Sequence, residues 1–139
     1  MNYKHSITVG IPFYNKTHPK HLKMSIDSIL TQTINIERLH LIQDGPINDE
    51  LDELIKKYKE DNPSIIKIII LPKKGLPHAL NESIKLSNTK YYARMDADDI
   101  SFQNRLQVQF DFLEKNKDTQ ILGAWAIEFE VDYKKEYVL

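Results

Sequence analysis

The chain has 139 residues, 41% of them hydrophobic and 28% charged, with a formal net charge of −1. That is enough for one domain with a sizeable core, and the balanced charge excludes a general electrostatic affinity for nucleic acid or anionic membranes. Cysteine is absent, which excludes disulfides and thiolate metal sites and fits a reducing, cytoplasmic setting.

The opening residues, Met1-Asn2-Tyr3-Lys4-His5-Ser6, hold no long apolar core and no small-residue cleavage site, so no signal peptide is read there. No apolar run approaches the roughly 20 residues of a membrane span. Residues 7–11, Ile-Thr-Val-Gly-Ile, predict a buried strand that Pro12 stops, because proline cannot donate to a ladder. After the loop at 12–16, Leu22, Ile26, Ile29 and Leu30 recur on one helical face, predicting a helix that ends near Thr33. Residues 39–42 predict a second strand, closed by the turn Gln43-Asp44-Gly45-Pro46. Asn48 is a fitting N-cap, followed by Asp49 and Glu50 in the first turn and by the stripe Leu51, Leu54, Ile55, Tyr58. Lys56, Lys57 and Lys59 suit the negative end of that helix.

Residues 65–71 are nearly continuous in apolar side chains, the pattern of a strand buried on both faces of a parallel sheet. Pro77 can open a helix running to about Leu86, with Leu80 and Ile84 facing inward. Residues 91–95 predict a fourth strand that runs into Asp96-Ala97-Asp98-Asp99. Phe102, Leu106, Phe110 and Leu113 mark a helix ending near Asn116. Residues 121–127 predict a fifth strand, and a weak alternation follows at Phe129, Val131 and Tyr133. Strands alternating with helices define a doubly wound α/β sheet, in which ligands bind beyond the carboxyl ends of the strands. The loops at 12–16, 43–46, 73–75 and 96–99 all fall on that edge.

Three carboxylates within four residues repel one another unless a cation sits among them. Asp96 and Asp98 can hold a hard divalent ion, Mg²⁺ or Mn²⁺, with a diphosphate filling its remaining positions. Standing alone, an Asp-x-Asp is more often a solvated acidic turn; its company on one sheet edge is what favours a site. Asp99 could cap the next helix or orient Arg105. Lys73, Lys74 and Arg94 offer further positive charge, although turn lysines are usually just solvated. Asp44 could accept from a ribose or a base, or bond its own backbone as an Asx-turn. Tyr14 could stack on a base or pack under its loop. Asn81 could bond a ligand or cap a turn. His5, His18, His21, His40 and His78 lack metal-ligand spacing and read as surface or loop residues, with His78 nearest the expected site. There is no nucleophile elbow, P-loop or G-x-G-x-x-G.

Taken together, the segments Ile7-Thr8-Val9-Gly10-Ile11-Pro12-Phe13-Tyr14-Asn15, Gln43-Asp44-Gly45, Gly75-Leu76-Pro77-His78-Ala79-Leu80-Asn81, Met95-Asp96-Ala97-Asp98-Asp99 and Arg105-Leu106 occur in the order of a known family. They resemble the nucleotide-sugar half of family 2 glycosyltransferases of the bacterial polysaccharide-building type. The resemblance covers roughly residues 6–130, and Ile121-Leu122-Gly123-Ala124-Trp125 resembles the strand that follows in such members. It implies a GT-A fold, a Rossmann-like three-layer α/β sandwich around a mainly parallel sheet, with residues 1–139 as one nucleotide-sugar-binding domain. It implies that Pro12 and Tyr14 line the nucleotide pocket and that Asp44 binds the base. Gly75 and Asn81 would run beside the nucleotide and sugar, Asp96 would lie near the ribose or donor sugar, and Asp98 would bind Mn²⁺ or Mg²⁺. The implied partners are a nucleotide-sugar donor, expected to be a UDP-sugar, and a saccharide or lipid-linked saccharide acceptor, at the inner face of the plasma membrane. The implied reaction is metal-dependent inverting transfer.

Two departures stand out. Position 43 is Gln where many members carry Asp, and no residue after Asp99 reads as the catalytic base, which the family pattern sets beyond Leu139. The expectation is a partial domain that lacks the acceptor half, binds donor and metal, transfers sugar poorly, and self-associates through the apolar face left open. Competing readings are a non-catalytic α/β binding module, a sugar nucleotidyltransferase and an aspartyl-phosphate phosphatase. The nucleotidyltransferase would want a Gly-rich, Arg-containing loop after the first strand, and the phosphatase an acidic pair at that same place.

Overall fold

The computed structural model describes residues 6–128. Four strands, β1 (Ile7–Phe13), β2 (Arg38–Asp44), β3 (Ile66–Leu71) and β4 (Tyr91–Arg94), alternate with four helices, α1 (Pro19–Leu30), α2 (Asp49–Asp61), α3 (Leu76–Lys85) and α4 (Arg105–Lys115). The sheet is wholly parallel in the order β3-β2-β1-β4. The chain moves outward from β1 to β3 and then returns to β4 on the far side of β1. Right-handed crossovers in opposite directions put their helices on opposite faces, which gives the three-layer sandwich.

One face packs Ile7, Val9, Ile11 and Phe13 of β1 and Leu39 and Leu41 of β2 under α1, α2 and α4, through Leu22, Ile26, Ile29, Leu51, Ile55 and Leu106. The other face is smaller, with Ile42 and Ile69 against Ala79 of α3. Each large aliphatic side chain taken fully out of water contributes roughly 1.5–3 kcal/mol before chain entropy is subtracted. α2 starts as its sequence dictates, with the Asn48 side chain accepting from Leu51 N at 3.0 Å and Asp49, Glu50 and Asp52 in the first turn. α4 docks on β4 through a T-shaped Tyr91–Phe110 pair and through Glu114, which accepts from Tyr91 Oη at 2.6 Å and pairs with Lys90 and Lys117. Hydrogen bonds from those three groups hold the Glu114 carboxyl down at about 2.

Several elements differ from the sequence expectation. β1 continues through Pro12, which stands in register with Ile42. Along β1, the carbonyls of Ser6 and Gly10 accept from Tyr91 N and Met95 N, so alternate residues face β4 and Pro12 falls on that side. β4 has already ended there, so the missing N–H costs no ladder bond. β3 is an edge strand and is not buried on both faces: Ile70 is 70% exposed. Ile84 points to solvent while Ala79 and Ser83 of α3 face inward. Phe102 precedes α4 and is exposed. No fifth strand forms at 121–127, where Trp125 is 101% exposed. The composition suits a strand, but a strand needs a neighbour to pair with, and this segment adds none to the sheet. The alternation at Phe129, Val131 and Tyr133 lies outside the described residues. α4 presents Val108 and Phe112, four residues apart, to solvent. No helix among the described residues is long and apolar enough to cross a membrane.

His40 is the clearest correction among the histidines. It is buried in β2, with Nδ1 2.8 Å from Ser83 Oγ, which also accepts from Tyr92 Oη at 2.8 Å. The Tyr92 phenol reaches Ser83 by crossing directly over Gly10, where an added Cβ would lie 1.8 Å from the hydroxyl. Burial, helped by the positive charges of Lys67 and Arg38, holds His40 down at about 4 from 6.5, while its bond to Ser83 pulls the other way. An unfolded chain protonates His40 below about 6.5 and the folded chain only near 4, so this contribution is complete above 6.5 and is lost as pH falls towards 4. The full effect is on the order of 3 kcal/mol. Denaturant unfolding between pH 4 and 7 is expected to show a flatter pH slope for His40→Gln than for the native chain. Equal slopes would refute this.

Candidate functional site

The sheet changes direction between β1 and β4, and ligands in doubly wound sheets bind at such a switch point. At the carboxyl ends of the strands there, an open cleft of about 520 Å³ is lined by Pro12, Tyr14, Asp44, Gly75, Asp96 and Asp98. These residues come from the carboxyl ends of β1 and β2 and from the loops that follow β1, β3 and β4. Asn81 sits on the exposed surface of α3 and is not among the lining residues.

The loop after β1 closes on itself. Thr17 N donates to Tyr14 O at 2.9 Å and Tyr14 N donates to Thr17 Oγ1 at 3.1 Å. The Tyr14 ring is left partly exposed, with the Lys73 ammonium 4.4 Å from its centroid. That cation–π contact holds Lys73 at the mouth of the cleft. Asp44 does not make an Asx-turn. Its carboxylate reaches across to the next loop and accepts from Lys74 N at 2.9 Å and from Gly75 N at 3.2 Å. Gly75, at φ 91°, occupies the left-handed region that favours glycine, and it is the N-cap of α3. The β2 end thus fixes the start of α3 through charge-assisted bonds to backbone N–H groups.

The acidic segment is held from beneath by α1. Ser25 Oγ donates to Asp96 O at 2.9 Å, and Ser28 Oγ accepts from Ser101 N at 3.0 Å. The Gln32 amide donates to Phe102 O at 2.7 Å and accepts from Leu106 N at 3.0 Å. Asp96 Oδ1 accepts from Arg94 Nη2 at 2.6 Å and from Arg94 Nε at 3.0 Å. Burial first, then repulsion from Asp96 and Asp98, raises the Asp99 carboxyl above its usual range. Asp99 does not cap α4, whose N-cap is Asn104; it acts on Arg105 through its charge. Arg105 is depressed by burial, and its Nη1 lies 3.6 Å from Met95 Sδ.

His18 and His21 line the same cleft, whereas His78 does not. Their rings are 4.8 Å apart, and His18 Nδ1 caps α1 by accepting from Lys20 N at 3.2 Å. Histidine just before Pro19 was the available signal for that cap. The roles of Ser25, Ser28 and Gln32 also escape a reading confined to apolar periodicity; Ser25 and Ser28 lie on α1, and Gln32 lies just past its end. Among the described residues, no three carboxylate or imidazole groups converge to hold a metal. Asp96 and Asp98 border one cleft and offer two carboxylates. Their oxygen chemistry suits a hard divalent ion, which Asp96 and Asp98 would hold.

The description "Glycosyl transferase family 2" matches residues 8–139. The amylovoran biosynthesis glycosyltransferase AmsE of Erwinia amylovora is 30% identical over 88% of this chain and 46% of its own length. The UDP-Gal:alpha-D-GlcNAc-diphosphoundecaprenol beta-1,3-galactosyltransferase of Escherichia coli is 34% identical over 91% of this chain and 45% of its own. The chain therefore spans less than half the length of these relatives. In fold it is similar to the mannosyltransferase PcManGT of Pyrobaculum calidifontis, solved with GDP-Man and Mn²⁺, with a TM-score of 0.69 and 19% identity over 81% of this chain and 33% of that one. The fold is accordingly GT-A.

Gln32→Ala removes both bonds that pin 102 and 106. It is expected to lower the unfolding free energy by about 1–2 kcal/mol in urea titrations followed by circular dichroism. No measurable change would mean that other contacts hold the segment.

Proposed function

The chain belongs to glycosyl transferase family 2, and from that premise we propose that it binds the nucleotide-sugar donor of an inverting sugar transfer in cell-surface polysaccharide synthesis. The observation that carries this reading is the meeting of Pro12, Tyr14, Asp44, Gly75, Asp96 and Asp98 around one cleft at the sheet's switch point. The exposed Tyr14 face is available to stack on a base. Asp44 retains acceptor capacity for a base N–H beyond its bonds to Lys74 and Gly75, since a carboxylate has about four lone-pair sites. Lys73 and Arg94 supply positive charge for a diphosphate. Asp96 is assigned to the ribose or donor sugar and, together with Asp98, to Mn²⁺ or Mg²⁺. When bound, such an ion neutralises charge developing on the leaving diphosphate.

In the reaction, an acceptor hydroxyl attacks the anomeric carbon from the side opposite the diphosphate. The new carbon–oxygen bond forms as the bond to the diphosphate oxygen breaks, and the hydroxyl proton passes to a carboxylate base. Among the described carboxylates of the cleft, Asp44 is engaged by backbone N–H groups, Asp96 by Arg94, and Asp98 is assigned to the metal. None remains for the base, so this reading gives the described residues donor binding and leaves transfer weak. A UDP-sugar is the proposed donor and a lipid-linked saccharide the proposed acceptor, at the inner face of the plasma membrane. The Escherichia coli relative, named for both kinds of substrate, supports this choice.

Calorimetry with UDP and GDP, with and without Mn²⁺, tests the reading. Nucleotide binding is expected to depend on Mn²⁺, with UDP preferred, and Asp98→Asn is expected to remove the metal dependence. Absent or metal-independent binding would favour a non-catalytic α/β module instead.

A further inference from the structure

Arg94 is the last residue of β4, in register with Gly10. Its side chain turns back over the acidic segment, and two of its nitrogens converge on one oxygen, Asp96 Oδ1, at 2.6 and 3.0 Å. Both side chains are solvent-accessible, 51% and 41% exposed, and both border the cleft together with Asp98. Exposed ion pairs of this kind are weak, worth about 0.2–1 kcal/mol, and exchange readily.

We propose that Arg94 is an internal counter-ion that occupies Asp96 until the donor arrives and then transfers to the donor's diphosphate, coupling metal and nucleotide binding. This rests on the donor-site reading above. A guanidinium seated on Asp96 Oδ1 opposes any second cation at Asp96 and Asp98, by direct competition for the oxygen and by like-charge repulsion. Without a nucleotide, Asp96 is the anion that the Arg94 guanidinium holds at hydrogen-bond distance. With one, its planar fork suits phosphate oxygens in a way a lysine does not. Metal alone is therefore disfavoured by Arg94, whereas metal together with a nucleoside diphosphate is favoured by it. By linkage, the two ligands raise each other's affinity by the same factor.

The test is calorimetry of Mn²⁺ alone, UDP alone and UDP in saturating Mn²⁺, on the native chain, Arg94→Ala and Arg94→Lys. Arg94→Ala is expected to bind Mn²⁺ alone severalfold more tightly, in line with release of an exposed ion pair. The same variant is expected to lose at least tenfold in affinity for UDP in saturating Mn²⁺, the size of a lost charge-assisted bond. Arg94→Lys keeps the charge and should return Mn²⁺ affinity to the native level while recovering only part of the UDP affinity. Unchanged or weaker Mn²⁺ binding by Arg94→Ala would overturn the counter-ion role. Tighter Mn²⁺ binding with UDP affinity unchanged would overturn the transfer to diphosphate. A native chain that binds no nucleotide in Mn²⁺ would overturn the donor-site reading and this proposal with it, whereas the first two outcomes leave the donor site standing.

Discussion

The cleft depends on a polar seam that runs along α1 and one residue past its C-cap. A loop that carries three aspartates in four residues cannot be stabilised by its own side chains, which repel one another. Ser25, Ser28 and Gln32 hold it instead by its backbone, at Asp96, Ser101, Phe102 and Leu106. The loop is thus held through its backbone, and of its carboxylates Asp96 is paired with Arg94. Stability is carried by amides and hydroxyls on the buried side, and charge is kept on the open side, where it can act on a ligand. The apolar residues of α1, Leu22, Ile26 and Ile29, seat the helix on the sheet and so set the height at which the seam meets the loop.

The opposite wall follows a different rule. There a carboxylate, Asp44, is spent on structure, fixing the turn at Lys74 and Gly75 from which α3 departs. Lys73 is steadied by the Tyr14 ring and not by an acid. The two walls therefore each mix charges: Lys73 stands beside Asp44 on one, and Asp98 beside the Arg94–Asp96 pair on the other. A diphosphate bridged to a cation is a ligand that can satisfy both at once.

Much of this was legible in the sequence, for physical reasons that can be named. Apolar periodicity located α1, α2 and α4, Pro77 marked the start of α3, and the Asn48 cap was read from residue type alone. The order of loops on one sheet edge followed from strand–helix alternation. What escaped depends on neighbours distant in sequence. The exposure of Ile70 follows from β3 being an edge, which its apolar run does not encode. His40 looks like a surface residue until Ser83 and Tyr92 come to meet it across the sheet. The run at 121–127 has strand composition but adds nothing to the sheet. Asp44 offered two local readings, a ligand contact or an Asx-turn, and the bonds it makes are to a loop about thirty residues away.

Pro12 has a consequence beyond its own strand. On the side of β1 that faces β4, the next backbone donor after Gly10 would come from residue 12, and an imino acid has none to give. After the bond from Met95 N to Gly10 O, the chain finds no further donor on that side of β1 and turns outward as the acidic segment, where Ser25 takes hold of Asp96 O. Two parallel strands that would otherwise stay zipped to their ends are parted at a defined residue. The point where the two strands part thus coincides with an absent hydrogen atom, at a position where any other residue would offer the sheet one more donor.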